Sequence, residues 1–462
     1  MTFDTFQLLL SPLGQSALAA ATELRPTDRN DLRAMTALRK RFPTPLAVAA
    51  LETVILRGKA AAKFHQSGRM YFTREALEVA SGEIVSAYRA ERFRKFEVVG
   101  DFGCGIGGDT LTFAADGRRV VAVDSDPVRV RMAEANAEAC GWAERVQVRG
   151  ADLLTDPLPD VPAAFADPGR RAGGQRFLSI ADYLPPPGEL LKRLPAGFPI
   201  AFKLAPGVNR DDGTAFGGEL EFISVDGELK ESVLWLGELR TTARRATLLR
   251  GSTLGEAVSS HLSPLGRGRN GEAVPGEGLA SEAKTPHPVA AQPTSPQRGE
   301  VEDSRHTFSA DTLILPAAPR PVGAYLFDPA AALVRAELEG NLAAELGLEP
   351  TDFGLAVFTG DSLVSSPFLT AYRVDVVFPL DAKKVNAHLT AHGIGRVTVI
   401  QCGSGVDADA IRKKCKGKGH EHRFLILTKE LGRPVAVVAE RVVVERRYNR
   451  NAFTPWSDPS WM

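Results

Sequence analysis

The chain has 462 residues, of which 44% are hydrophobic and 24% charged, as in soluble globular proteins of two or three domains. Basic and acidic residues balance at 56 each, which excludes an overall basic field, so any nucleic-acid-binding surface must be local. The four cysteines lack C-x-x-C spacing, the first residues lack a basic signal region, and no run of about eighteen apolar residues occurs. We therefore expect a cytoplasmic protein without a disulfide framework, a zinc cluster or a membrane span.

Residues 1–94 are predicted to form an N-terminal helical region. Strong helix formers dominate four stretches: residues 17–20, 31–40, 45–51 and 75–89. A segment between Lys63 and Thr73, rich in aromatic residues, interrupts these helices. Its aromatic side chains are expected in the core, and the alternative is a wall of a cofactor or substrate pocket.

A glycine-rich loop follows the apolar run at residues 97–102 and precedes a helix that begins near Asp109. Its glycines are Gly103, Gly105, Gly107 and Gly108. The first, second and fourth satisfy G-x-G-x-x-G, and strand, glycine turn and helix in that order form a cradle for a nucleotide-like ligand. Asp101 lies immediately before this loop. A carboxylate there would repel a pyrophosphate but suits a ligand with an ammonium group and a sulfonium.

Acidic residues recur at the ends of four apolar runs with the spacing of a doubly wound sheet. They are Asp101, Asp124, Asp152 and Asp167. Because the carboxyl ends of parallel strands meet at one edge of a sheet, these side chains are expected to line one crevice. Two alternatives stay open here: ordinary polar residues at strand ends, and a nicotinamide-dependent enzyme.

This pattern resembles the class I S-adenosylmethionine-dependent methyltransferases over roughly residues 95–250. The resemblance implies a Rossmann-like α/β sheet over 95–252 and S-adenosyl-L-methionine as the cofactor. It also implies that Asp101 holds the methionine amino group, directly or through water. Asp124 would bind the ribose, Asp152 would lie by the adenine amine, and the glycines would cradle the cofactor.

The fourth acid heads the sequence Asp167-Pro168-Gly169-Arg170-Arg171, which faces the substrate in the resembling family. Asp167 and Pro168 are the predicted catalytic residues, as in amino-methylating relatives with Asp/Asn-Pro-Pro and an aromatic. Gly169 and Arg170 depart from that pattern. The two arginines could stack on a base, grip phosphates or form surface ion pairs.

Lys203 closes the next strand, at residues 199–204, and points toward the same crevice. It could bind a substrate phosphate or pair with Asp167. Residues 219–225 and 231–236 then form a predicted antiparallel hairpin through Asp226-Gly227.

Residues 253–310 change character and are predicted to be a disordered insert or linker, because they combine clustered Gly, Pro and Ser with few large apolar side chains. From 311 to 445 strand and helix patterns alternate and end in a hairpin, which predicts a small α+β domain of ferredoxin-like type. Residues 324–331, 378–380 and 411–418 resemble the THUMP-like domain attached to a bacterial group of methyltransferases. Residues 446–462 form a C-terminal tail.

A basic cluster lies within this last domain. It contains Arg412, Lys413, Lys414, Lys416, Lys418, His420, His422 and Arg423. The cluster predicts an RNA-backbone surface, with Lys413, Lys414 and Lys416 as substrate-binding residues. The alternative is a solvated face at a helix C-terminus, where cations complement the helix dipole. Cys415, His420 and His422 match no zinc spacing, so no metal is expected.

The favoured function is therefore an S-adenosylmethionine-dependent methyltransferase that acts on transfer or ribosomal RNA, with the C-terminal domain assisting RNA binding. Two alternatives are a small-molecule or protein methyltransferase and a catalytically idle RNA-binding protein that retains the cofactor fold. The sequence selects neither the target atom nor the oligomeric state.

Overall fold

A computed structural model describes residues 1–27, 31–169, 171–172, 175–176, 179–251 and 305–442. The described residues of Met1–Val208, Trp235–Leu239 and Leu249–His306 belong to one compact unit. Those of Asn209–Leu234, Arg240–Leu248 and Thr307–Met462 belong to a second. The predicted tail at 446–462 and most of the predicted insert lie outside the described residues. None of the helices in the described part of the chain is long and apolar enough to cross a bilayer.

The first unit begins with helices, as predicted. They are α1 Phe3–Leu10, α2 Pro12–Glu23, α3 Asp31–Arg39, α4 Thr44–Ala60, α5 Arg74–Val79 and α6 Glu83–Arg92. Local sequence explains several starts: the Ser11 hydroxyl accepts from Gly14 N–H with Pro12 at the first helical position, and the Thr73 hydroxyl accepts from Ala76 N–H. The apolar faces of α1 to α5 share one core with Ile106, Leu111 and Met132. The N-terminal helices thus pack beside the glycine loop and the helices that follow it.

A parallel sheet follows these helices, with the βα alternation of a Rossmann-like fold. Its elements are β1 Val98–Phe102, α7 Gly108–Ala115, β2 Arg119–Asp124, α8 Pro127–Cys140, β3 Val146–Gly150, β4 Ala164–Ala166, β5 Arg171–Ala172, β6 Gln175–Arg176, α9 Pro187–Lys192 and β7 Ile200–Leu204. The order is β7-β4-β1-β2-β3 with every pair parallel, while β5 and β6 form a separate small ribbon. The strand order reverses direction at β1, and such a switch point is where these sheets bind ligands.

The second unit contains two groups of strands. The elements after β7 are α10 Arg210–Thr214, β8 Glu219–Val225, β9 Glu228–Trp235, β10 Arg244–Leu249, β11 Arg305–Ala310, β12 Tyr325–Pro329, α11 Ala331–Arg335, α12 Glu339–Leu346, β13 Glu349–Pro350, β14 Phe358–Gly360, β15 Leu369–Pro379, α13 Ala382–Ala391, β16 Ile394–Gln401, α14 Ala408–Lys414, β17 Glu421–Glu430 and β18 Arg433–Val442. Asp226 and Gly227 join β8 to β9 with φ of 50° and 83°, so the predicted hairpin is confirmed. Residues 305–310 form strand β11 rather than the end of a disordered insert, since Thr307 and Phe308 are good strand formers.

The C-terminal sheet has the order β13-β14-β12-β15-β18-β17-β16. The predicted alternation of strands and helices with a final hairpin is confirmed, because β17 and β18 pair antiparallel. The ferredoxin-like arrangement is wrong in detail. A ferredoxin-like domain runs β-α-β-β-α-β, whereas β15 to β18 run β-α-β-α-β-β and place β16 parallel to β17. Helices α13 and α14 pack on one face of this sheet through Val385, Leu389 and Ile411.

Candidate cofactor and acceptor site

The glycine loop turns sharply between β1 and α7. Gly103, Gly105 and Gly107 all have positive φ, at 80°, 58° and 85°. At Gly103 a side chain is excluded twice, because a Cβ there would also lie 2.8 Å from the carbonyl oxygen of Asp167. The N–H groups of Gly103 and Cys104 both donate to the carbonyl of Val123. The loop is therefore bonded to the end of β2, which carries Asp124, and lies against the backbone of Asp167, which follows β4.

Asp101 lies in β1 and is 1% exposed. Its Oδ2 accepts a hydrogen bond of 2.5 Å from the Thr110 hydroxyl, while its buried Oδ1 has no hydrogen-bond partner among the described residues. Burial raises the pKa of Asp101 to about 8, and the negative charge of Asp109 is the next largest cause. A buried carboxyl oxygen without a partner fits an incoming ammonium group, which would supply both the missing donor and the missing charge.

Asp124 ends β2 and is 7% exposed. Its Oδ2 accepts from Gly105 N–H and its Oδ1 from Asp126 N–H, each at 2.9 Å. Burial raises the pKa of this carboxyl, and the two backbone donors oppose that shift. Each oxygen keeps a second lone pair, so the carboxylate orders the glycine loop and can still accept from a ligand hydroxyl.

Asp152 lies two residues beyond the end of β3 and is exposed. Its Oδ1 accepts from Leu154 N–H at 2.8 Å, and its own N–H donates to Asp156. The side chain thus shapes a turn rather than ending the strand. Its contact with adenine stays a prediction.

Asp167 follows β4 directly and joins the glycine loop through its backbone, since its N–H donates to the carbonyl of Phe102 at 2.9 Å. Its Oδ2 lies 2.7 Å from the Nζ of Lys203. Of the two alternatives for Lys203, the structure has the ion pair. The Lys203 side chain is 3% exposed, against 23% for Asp167, so the carboxylate and not the ammonium faces the crevice. Phosphate binding by Lys203 has no support in this geometry.

The rest of the acceptor segment is held by a backbone pair, because Gly169 N–H donates to the carbonyl of Leu184 and Leu184 N–H donates back. Arg170 lies outside the described residues. Arg171 contributes its backbone to β5, and its side chain also lies outside them. Both arginines stay predictions.

Three further polar residues, which the sequence did not single out, surround Asp101. Arg89, from α6, is fully buried, pairs with Asp109 and lies 4.5 Å from the ring centroid of Phe165. Thr110 donates to Asp101, as described above. Asp109 and Thr110 lie in the first turn of α7, directly after the glycines, and this position was a sequence signal that they adjoin the site. Arg89 gave none, because an arginine in a helix is usually solvated.

The aromatic segment before the loop is core, as predicted. Phe64 is 1% exposed, Tyr71 7% and Phe72 0%. Asn136 of α8 fixes this segment to the loop: it exchanges hydrogen bonds with the backbone of Tyr71 and donates to the carbonyl of Ile106 at 2.8 Å. The N-terminal region is therefore bonded to the cradle itself.

The basic cluster divides into paired and exposed cations. Arg412 pairs with Asp409 at 3.0 Å and Arg423 with Asp375 at 2.7 Å. The exposed cations are Lys413, Lys414, Lys416 and Lys418. None of these four lysines forms an ion pair with a residue that the structure describes. Lys413 and Lys414 occupy the last turn of α14, where they also complement its dipole. Within the described ranges no group of three or more His, Cys, Asp and Glu could hold a metal ion.

Three family models match parts of the chain. Residues 96–177 match RNA cap guanine-N2 methyltransferase, residues 369–441 match THUMP domain-like, and residues 2–60 match a domain of unknown function. An uncharacterized S-adenosylmethionine-dependent methyltransferase of Mycobacterium tuberculosis strain H37Rv is 29% identical over 402 residues, which are 85% of this chain and 92% of that protein. An uncharacterized RNA methyltransferase of Parasynechococcus marenigrum is 36% identical over 93 residues, 20% of each chain.

Among solved structures, a protein of Porphyromonas gingivalis W83 assigned as a methyltransferase has a TM-score of 0.63 at 15% identity. The match covers 92% of this chain and 98% of that one, which shows a shared fold. Together these matches confirm the predicted combination of a Rossmann-like methyltransferase core with a THUMP-like C-terminal domain.

Proposed function

We propose that this chain, a class I S-adenosylmethionine-dependent methyltransferase with a THUMP-like domain, methylates RNA. S-adenosyl-L-methionine is its cofactor. The observation that carries the RNA proposal is the row of exposed lysines on the THUMP-like domain, joined in one chain to a methyltransferase core. The family description for residues 96–177 and the Parasynechococcus relative support the same substrate class. The cytoplasmic location expected from the sequence belongs to this proposal.

The crevice at the ends of β1 and β2 suits this cofactor. Asp101 Oδ1 would accept from the methionine amino group, and Asp124 would accept from the ribose hydroxyls while holding Gly105. Gly103, Gly105 and Gly107 let the loop backbone approach the ligand. When bound, the cofactor supplies an electrophilic methyl group on a sulfonium. The protein's part is to hold the acceptor in line with it.

Asp167 and Pro168 are the proposed acceptor residues. Lys203 occupies Asp167 Oδ2, whereas Oδ1 makes no hydrogen bond with any described residue. The partly exposed carboxylate can accept a hydrogen bond from the group to be methylated and orient its lone pair. A carboxylate of this kind can also take the proton that leaves after transfer.

The proposed RNA-binding surface is built on the last turn of α14 and the loop that follows it. Asn386 of α13 fixes this loop: it donates to the carbonyl of Lys414 and accepts from Lys416 N–H, both at 2.8 Å. Gly417 and Gly419 pack against the backbone of residues 393–395, and Lys416 and Lys418, which alternate with these glycines, stay exposed. Lysines on a fixed backbone at alternate positions can contact successive phosphates.

The decisive experiment adds purified protein and labelled S-adenosylmethionine to an extract of cells that lack the protein, and then separates transfer RNA, ribosomal RNA, protein and small molecules. Mass spectrometry of digested RNA should show one new methylated nucleoside. Label in protein or small molecules, and none in RNA, would overturn the RNA proposal while leaving the methyltransferase assignment intact. Cofactor binding without any transfer would instead indicate an idle RNA-binding protein.

Charge reversal of Lys413, Lys414 and Lys416 to glutamate should weaken RNA binding by at least about tenfold. The slope of log affinity against log salt should flatten by about 2, since about 0.7 counterions are released per contact on single strands. Fluorescence anisotropy over a salt series measures both quantities. The matched control reverses Lys40, Lys95 and Lys192, three exposed lysines of the first unit, with the same change in net charge. Equal losses in the two triple variants would show an effect of net charge alone and contradict the assigned surface.

A further inference from the structure

The buried ammonium group of Lys203 contacts two segments that are far apart in the sequence: the end of α5 and Asp167. Nζ donates to Asp167 Oδ2 at 2.7 Å and to the carbonyl of Val79 at 3.0 Å. Val79 is the last residue of α5, in the N-terminal helical region. Lys203 as a whole is 2% exposed, and burying a charge costs little only where the charge is paired and hydrogen-bonded, as it is here.

We propose that Lys203 is a positioning residue for methyl transfer: it joins the C-terminal end of α5 to the Asp167 carboxylate and thereby sets the orientation of that carboxylate toward the acceptor. The inference rests on the proposed role of Asp167. It follows the Asp167 pairing, which the sequence left open beside phosphate binding, because a phosphate could reach this ammonium group only by displacing the Asp167 carboxylate.

The C-terminal end of α5 is linked to Asp167 through Lys203, and a second lysine binds the other carbonyls of this helix end. Lys63 donates to the carbonyls of Leu77, Glu78 and Ala80 at 2.8, 3.1 and 2.9 Å. Helix C-termini carry partial negative charge, so both lysines are well placed there. Only Lys203 also reaches the acceptor residue. Lys63 and Lys203 thus form a natural pair of variants: both hold the end of α5, and Lys203 also holds Asp167.

The geometry also explains why one carboxyl oxygen is left for the acceptor. With Oδ2 bonded to Lys203 and the backbone N–H bonded to Phe102, rotation of the Asp167 side chain is restricted. Oδ1 then faces one direction only. Transfer rates depend steeply on such alignment, and a displacement of about 1 Å can cost about a hundredfold.

The test compares Lys203→Met, Lys203→Arg and Lys63→Met in the full-length protein. Lys203→Met should lower kcat about a hundredfold while the KM for RNA and the calorimetric Kd for S-adenosylmethionine change less than about threefold. Lys203→Arg keeps the cation and should recover at least about tenfold of that loss. Lys63→Met should lower kcat far less than Lys203→Met does, because it leaves the contact between Lys203 and Asp167 in place.

A second readout does not depend on activity. Hydrogen–deuterium exchange should accelerate both in α5 and at residues 167–169 in Lys203→Met, but only in α5 in Lys63→Met. Failure of the wild-type protein to methylate RNA would reject the proposed substrate and leave this exchange result to decide about Lys203. Unchanged kcat in Lys203→Met, or equal losses in the two methionine variants, would overturn the positioning role.

Discussion

Replacement of Asp167 with asparagine should lower the rate of methyl transfer about a thousandfold and leave the affinity for S-adenosylmethionine unchanged within about threefold. The asparagine oxygen can still accept from Lys203, so the local fold should survive. The amide carries no charge, however, and cannot take a proton from the acceptor. Single-turnover assays with saturating cofactor and RNA measure the rate, and calorimetry measures the affinity.

The companion variant is Asp167→Glu, which keeps the charge but moves it by one methylene. Because alignment rather than charge is then disturbed, we expect a loss between those of wild type and Asp167→Asn. Turnover of Asp167→Asn equal to wild type would remove Asp167 from the mechanism. A parallel loss of cofactor affinity would show that Asp167 acts through the adjoining glycine loop, with which its backbone is in contact.

The second large effect concerns Asp101 and pH. Because burial raises its pKa to about 8, this carboxyl is protonated at neutral pH, and an ammonium ligand binds best to the ionised form. Affinity for S-adenosylmethionine should therefore rise about tenfold per pH unit between about pH 6 and 8. It should then stop rising, because an α-amino group itself loses its proton near pH 8. Calorimetry in buffers of different ionisation enthalpy should detect about one proton released per cofactor bound below pH 7.

Two variants separate this effect from general weakening. Asp101→Asn should bind the cofactor at least about tenfold more weakly at pH 8 and show no rise with pH, whereas Asp124→Ala should bind weakly at every pH and keep the rise. A persistent rise in Asp101→Asn would assign the titration to another group and contradict this account.

The same carboxyl should make the free energy of unfolding fall as pH rises, whereas it makes the cofactor affinity rise. The folded protein keeps the Asp101 proton up to about pH 8, while the unfolded chain releases it near 3.8. Between these values the folded state binds more protons, so this group lowers the free energy of unfolding as pH rises. Asp101→Asn removes that decline, and urea titrations at pH 5 and 8 on both proteins provide the check.

The sequence predicted the parts of the site that depend on local pattern. Apolar runs that end in acids, the glycine loop, the Asp226-Gly227 turn and the final hairpin are all readable within a few residues. The pairing of Lys203 with Val79 and of Arg89 with Asp109 is not, because it joins elements far apart along the chain. The parallel pairing of β16 with β17 was missed for a similar reason. An alternation of strands and helices does not state which strands become neighbours.

The lysine loop after α14 also limits how this surface can vary among related proteins. A Cβ at Gly417 would lie 2.0 Å from the carbonyl oxygen of Ile394, and one at Gly419 would lie 1.8 Å from that of Gly393. Both contacts are with backbone oxygens, which cannot move without displacing the chain, so only glycine fits at 417 and 419. The exposed residues at 416 and 418 can be substituted without such a clash. Related proteins that bind a different partner on this surface could change the charge at 416 and 418 by single substitutions without altering the course of the chain. The recognition chemistry of the loop can therefore evolve at two positions, 416 and 418, while the glycines keep its backbone course constant.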